Sequence, residues 1–96
     1  MRVGVFADTL TMAQGQLPDF EAILDKDTVK RIRRLSGESC IDFHSGGGIR
    51  FYSTRSVPRG MSLDRLYVPA GVDHQTMERL APLVIASKEP AIVGYF

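Results

Sequence analysis

Three short, largely apolar runs set the terms for this chain: Val3-Gly4-Val5-Phe6-Ala7, Leu63-Asp64-Arg65-Leu66-Tyr67-Val68 and Ala91-Ile92-Val93-Gly94-Tyr95-Phe96. The first reads as a buried parallel strand, because parallel strands covered on both faces are apolar nearly throughout. The second reads as a further buried strand and the third as the final one. Helical patterns fall between them, so the expected class is α/β with a mainly parallel sheet. At 96 residues the chain is expected to form a single domain, 1–96, with one core and little margin.

Local signals fill in the order. Asp8-Thr9 can cap whatever follows the first strand, and residues 11–16 carry no firm assignment. Leu17-Pro18-Asp19 resembles a helix entry, with Pro tolerated in the first turn and Asp suited to the helix dipole. Phe20, Ile23 and Leu24 share a face. Asp27 is a plausible further N-cap, with Val29, Ile32 and Leu35 as the next apolar stripe. Arg31, Arg33 and Arg34 then crowd the expected last helical turn, and Gly37 stops it. The period changes at Cys40-Ile41-Asp42-Phe43-His44 and Ile49-Arg50-Phe51-Tyr52-Ser53. These read as two strands of a β-hairpin through Ser45-Gly46-Gly47-Gly48. A phosphate-binding loop needs glycines that feed a helix N-terminus with a Lys, whereas these feed a strand. Residues 57–62 read as loop, and Asp73 caps a helix that turns Met77, Leu80 and Val84 inward. Pro82 ends or kinks that helix near Ala81. Lys88-Glu89-Pro90 is a turn before the last strand. The expected order is therefore β-α-β-β-β-α-β.

Charge and cysteine usage narrow the chemistry. The formal net charge is +1, so nothing drives the whole chain toward nucleic acid or anionic membrane. The basic residues are mostly Arg, concentrated between residues 31 and 65. Cys40 is the only cysteine and His44 and His74 the only histidines, so neither a disulfide nor a metal-ligand cluster is expected. Cys40 reads as a buried structural thiol, His74 and Glu78 as a helix-surface pair, and Asp42 and His44 as the exposed side of the hairpin. No apolar run reaches the ~20 residues of a membrane span. Met1-Arg2-Val3-Gly4 lacks a signal-peptide pattern, which makes a reducing cytoplasm the expected compartment.

Ser45-Gly46-Gly47-Gly48-Ile49-Arg50-Phe51, then Thr54-Arg55, then Arg59-Gly60-Met61-Ser62-Leu63-Asp64-Arg65-Leu66-Tyr67-Val68 follow one another in an order that resembles a known family. It is the ATPase domain of the terminase large subunit of tailed phages, entered after that domain's phosphate-binding loop. Leu80-Ala81-Pro82-Leu83 and Ala91-Ile92-Val93-Gly94-Tyr95 extend the likeness. The resemblance implies a small P-loop-NTPase-like three-layer fragment that lacks the phosphate-loop strand. It also implies parallel strands in the spatial order 91–96, 64–68, 3–7, with 91–96 left as an edge. The family's Asp-Glu pair aligns with Pro69-Ala70, and no G-x-x-x-x-G-K-[ST] occurs in the chain. An apolar pair can neither support magnesium coordination nor orient attacking water. The chain ends at Phe96, where the family continues into a coupling segment and a nuclease domain.

The function expected from these features is non-hydrolytic: no catalytic, cofactor-binding or metal residues and no small-molecule substrate. The chain would be a phage or prophage protein acting by protein binding in the host cytoplasm, on a host factor, the packaging machinery or itself. Its docking edge would be Ile92, Val93, Gly94 and Tyr95, whose backbone the missing strand leaves unpaired. The alternative is nucleic-acid binding through Arg50, Arg55, Arg59 and Arg65. A third reading, a split enzyme completed by another chain, requires the partner to bring carboxylates as well as the phosphate loop. Asp64 is expected to cap or turn the chain ahead of its strand.

Overall fold

In the computed structural model, which describes residues 1–34, 39–57, 61–85, 87 and 91–95, the N-terminal apolar run lies inside a six-stranded sheet. It forms β1 (Arg2–Ala7), followed by helices α1 (Leu10–Gln14) and α2 (Leu17–Ile23). Then come β2 (Val29–Arg33), β3 (Cys40–Phe43), β4 (Gly48–Ser53), β5 (Arg65–Pro69), α3 (His74–Leu80) with a 3₁₀ turn (Ala81–Leu83), and β6 (Ala91–Tyr95). The spatial order is β2-β3-β4-β1-β5-β6. β1 runs parallel to β4 and β5, and β5 runs parallel to β6, while β2-β3 and β3-β4 are antiparallel. The sheet is thus mixed and mostly parallel, and its last three strands, β6-β5-β1, are contiguous.

Strand alternation divides the core into two clusters. Val3, Val5 and Ala7 of β1 point the same way as Ile41, Phe43, Ile49 and Phe51, and meet Ala13, Leu17 and Phe20 of the first two helices. Phe6, Leu66 and Val68 point the other way and meet Leu63, Leu80, Leu83 and Val84. The helices follow local chemistry. Thr9 caps α1 by accepting from the Met12 N–H at 3.2 Å, and Asp73 caps α3 by accepting from Thr76 at 2.8 Å. Pro82 converts the end of α3 into the 3₁₀ turn, as its missing N–H requires.

The segment after Asp27 departs from expectation. In place of a helix it forms β2, paired antiparallel to β3 through Val29↔Phe43 and Ile32↔Ile41. Asp27 is not an N-cap, and Arg31 and Arg33 are strand residues. Val29 and Ile32 stand three apart, which fits one face of a helix. A register shift between Val29 and Arg31 inserts an extra residue into β2, so the same spacing returns both side chains to one face of a strand. The β-branched Val29 and Ile32 suit the extended form. Arg34 turns back to an ion pair with Glu21 of α2. The unassigned stretch before Leu17 forms α1 and its exit turn. The order is therefore β-α-α-β-β-β-β-α-β. Leu35, Gly37, the turn at 88–90 and Phe96 lie outside the described residues.

Candidate functional site

The two open edges of the sheet differ in chemistry. β2 presents Lys30, Arg31 and Arg33, all exposed, together with the bulge, and such features block pairing with another strand. β6 reads Ala-Ile-Val-Gly-Tyr and carries no charge. Ile92 and Val93 are each 38% exposed. The Ala70 N–H donates to the Tyr95 carbonyl at 2.6 Å, which orients the Tyr95 main chain toward β5. Alternation along the strand then sends the N–H and C=O groups of Ile92 and Gly94 outward. The candidate edge residues are accordingly together on one strand, paired to β5 on its inner side and open on its outer side among the described residues.

Pro69 and Ala70 end β5 beside that strand. The connections leaving β1 and β5 pass to opposite faces of the sheet, toward α1 and α3, so the carboxyl ends of these two strands flank a switch point where open α/β sheets bind ligands. Here the polar groups are engaged by backbone. The Tyr95 hydroxyl donates to the Phe6 carbonyl, the Ser53 hydroxyl to the Asp8 carbonyl at 2.9 Å, and the Arg79 guanidinium to the Thr54 carbonyl at 2.9 Å. Burial, and secondarily the Asp8 carboxylate, raise the Tyr95 phenol above its ordinary pKa, which keeps its proton on that bond. Asp8, exposed at the end of β1, is the carboxylate that sequence reasoning treated only as a cap. Among the described residues no three His, Cys, Asp or Glu side chains gather as a metal-binding group.

The four candidate arginines do not form one patch. Arg50 is exposed on the sheet face opposite α1 and α2, where it pairs with Asp42 at 2.8 Å. Arg65 registers with Val3 and so points to the other face, beside Tyr67. Arg55 sits in the turn after β4, and Arg59 lies outside the described residues. Arg31 and Arg33 are the arginines that share Arg50's face, since Arg31 registers with Asp42 and Arg33 with Cys40, which itself registers with Arg50. The signal was available in the alternation Arg31-Ile32-Arg33, which helix spacing obscured.

The glycine triplet serves the backbone. A Cβ on Gly47 would stand 2.4 Å from the Met1 carbonyl oxygen, and one on Gly48 would stand 2.1 Å from that of Ile41. The turn lines a cleft of about 330 Å³ at the amino ends of the strands, with Arg2, Ser62 and Asp64. Asp64 acts as a latch there. It accepts from the Arg2 N–H at 2.8 Å and from the Ser87 hydroxyl at 3.3 Å, and the Arg2 bond is the main cause of its lowered pKa. His74 and Glu78 pair at 2.8 Å on the exposed side of α3, and Cys40 is buried. No helix among the described residues is long and apolar enough to cross a membrane. Comparisons with protein-family models, with curated proteins and with solved structures find no match to this chain.

Proposed function

We propose that this chain is a terminase-ATPase-like phage or prophage protein that hydrolyses nothing and works in the host cytoplasm by β-strand addition at β6. The observation that carries the reading is the asymmetry of the two edges: β2 is guarded by Lys30, Arg31, Arg33 and a bulge, and β6 is unguarded. A second copy of the chain is the occupant that this edge favours. Two β6 strands related by a twofold axis would pair their outward groups, bury Ile92 and Val93 of both copies, and bring no like charges together. The β6-β5-β1 order supports the terminase-like ancestry. Pro69 and Ala70 at the end of β5 support the loss of hydrolysis, since an apolar pair offers no ligand for magnesium.

Sedimentation at micromolar concentration tests the association. The natural chain is expected to sediment as a dimer, and Ile92→Lys and Val93→Lys as folded monomers. A monomeric natural chain, or dimers that persist in both folded variants, would refute self-pairing at this edge. Calorimetric titration with ATP and magnesium is expected to show no binding heat, and a micromolar magnesium-dependent site would end the non-hydrolytic reading.

A further inference from the structure

On the face that α3 shares with β1 and β5, the outer strands carry a different surface. There β2, β3 and β4 present Arg31, Arg33, Cys40, Asp42, Gly48, Arg50 and the half-buried Tyr52, and no described helix packs over the three arginines, which are all exposed. Arg2 of β1 registers with Gly48 and extends the row. Asp42 is the one carboxylate among these positions, and Arg50 already holds it at 2.8 Å. Asp64 sits beside Arg2 at the end of the row, so four arginines stand against two carboxylates, and the face is still more positive than the whole chain, whose net charge is +1.

The arrangement is rigid. Strands stand about 4.8 Å apart, and residues two apart on a strand are separated by about 6.8 Å, so the guanidinium groups spring from a fixed lattice. Neighbouring like charges on a sheet repel and weaken it. A bound row of anions would relieve that repulsion. Arginine is suited to this because its fork meets a phosphate through two parallel hydrogen bonds. Beside Arg50, a groove of about 170 Å³ is lined by Gly47, Gly48 and Arg2, with Tyr52 and Met61.

The geometry points to this face as a binding site for the phosphate backbone of double-stranded nucleic acid, contacted by Arg31, Arg33 and Arg50 without reading sequence. An acidic protein partner fits less well. A protein interface is organised around a buried apolar or aromatic anchor, and Tyr52, the aromatic on this face of these strands, is half-buried, stacked on Phe6 and bonded through its hydroxyl to the Met61 sulfur. Because its ring is already stacked on Phe6, Tyr52 does not supply the open stacking platform that single strands use. Phosphate contacts remain, and the duplex offers the denser line of phosphates.

Fluorescence anisotropy with a labelled duplex of mixed sequence tests the assignment on the full chain. Three phosphate contacts predict an affinity that falls about 40-fold between about 50 mM and about 200 mM salt. Arg31→Glu combined with Arg33→Glu is expected to weaken binding at least about tenfold, because both phosphate contacts become repulsive. Arg55→Glu combined with Arg65→Glu changes the net charge equally but lies off this face, and is expected to bind within about threefold of the natural chain. Arg31→Gln combined with Arg33→Gln removes charge without reversal, and should flatten the salt dependence to roughly one contact. Circular dichroism on each variant reports folding. No retention at low salt, equal losses in the two reversal pairs, or an undiminished salt slope in the Gln pair would each overturn the assignment. Tighter binding to a single strand of the same length, or to vesicles of anionic lipid, would overturn it too. The face includes the β2 edge and β6 forms the opposite edge, so this outcome and the dimerisation outcome are independent.

Discussion

Replacing Phe6 by Ala is expected to remove about 3–5 kcal/mol of stability, the usual cost of deleting a buried phenyl ring and leaving a cavity. Phe6 has no exposed surface, and its ring stacks on Tyr52 with centroids 5.1 Å apart. The residue sits next to the carboxyl end of β1 and faces the cluster that includes Leu66, Leu80 and Leu83. Small domains unfold with roughly 5–15 kcal/mol at most, so the variant should be close to its unfolding threshold at room temperature. Thermal denaturation checks this, at roughly 4–8 °C per kcal/mol for a domain of this size. Ile23→Ala is the contrast. Ile23 is 76% exposed, and its replacement should leave the melting temperature nearly unchanged. A Phe6→Ala variant as stable as Ile23→Ala would mean that α3 does not pack on this face as described.

Gly48→Ala carries the second large effect, about 3 kcal/mol or more. The residue joins the two halves of the sheet: its N–H donates to the Met1 carbonyl at 3.0 Å, and it registers with Arg2 on one side and Asp42 on the other. The added Cβ would lie 2.1 Å from the Ile41 carbonyl oxygen, which is ladder backbone and cannot swing aside as a side chain would. Relief requires β3 to separate from β4. Gly46 supplies the control, because its φ is also positive, at 91°, yet a Cβ there meets nothing within 4 Å. Gly46→Ala should cost only about 1 kcal/mol of backbone strain. Equal melting temperatures for the two variants would contradict the close approach of β3 to Gly48.

The two experiments probe parts of the fold that were unequally legible. Phe6 belongs to an apolar run whose pattern admits little other than a buried strand; the runs 63–68 and 91–96 were as plain as strands, although β5 occupies Arg65–Pro69 and Phe96 lies outside the described residues. Caps and breakers were plain for the same reason: Thr9 and Asp73 act through bonds to residues three positions on, and Pro82 through the N–H it lacks, all of which the local chain encodes. β2 was not plain. Its apolar residues have helical spacing, and only a bulge formed against β3 places Val29 and Ile32 on one face. A bulge is a property of a strand pair, and the partner strand lies beyond residues the local pattern can weigh.

The candidate sites divide along the same line. The uncharged run Ala91-Ile92-Val93-Gly94-Tyr95 is written in the chain, and so are Pro69-Ala70 at the end of a strand and the concentration of arginine between residues 31 and 65. Local chemistry suffices for these because each is a matter of side-chain type. Pairing decided which run became an edge and which arginines became neighbours. Arg50 and Arg65 are fifteen residues apart and face opposite sides of the sheet, because β1 inserts between their strands in the register Gly4↔Arg50 and Val3↔Arg65. Arg31, Arg33 and Arg50 share a face through two antiparallel ladders. Registers of this kind depend on contacts distant in sequence, and a shift of one residue would turn every side chain of a strand to the other face. The chemistry of the surface was thus a local property of this chain, and its geography a product of strand pairing.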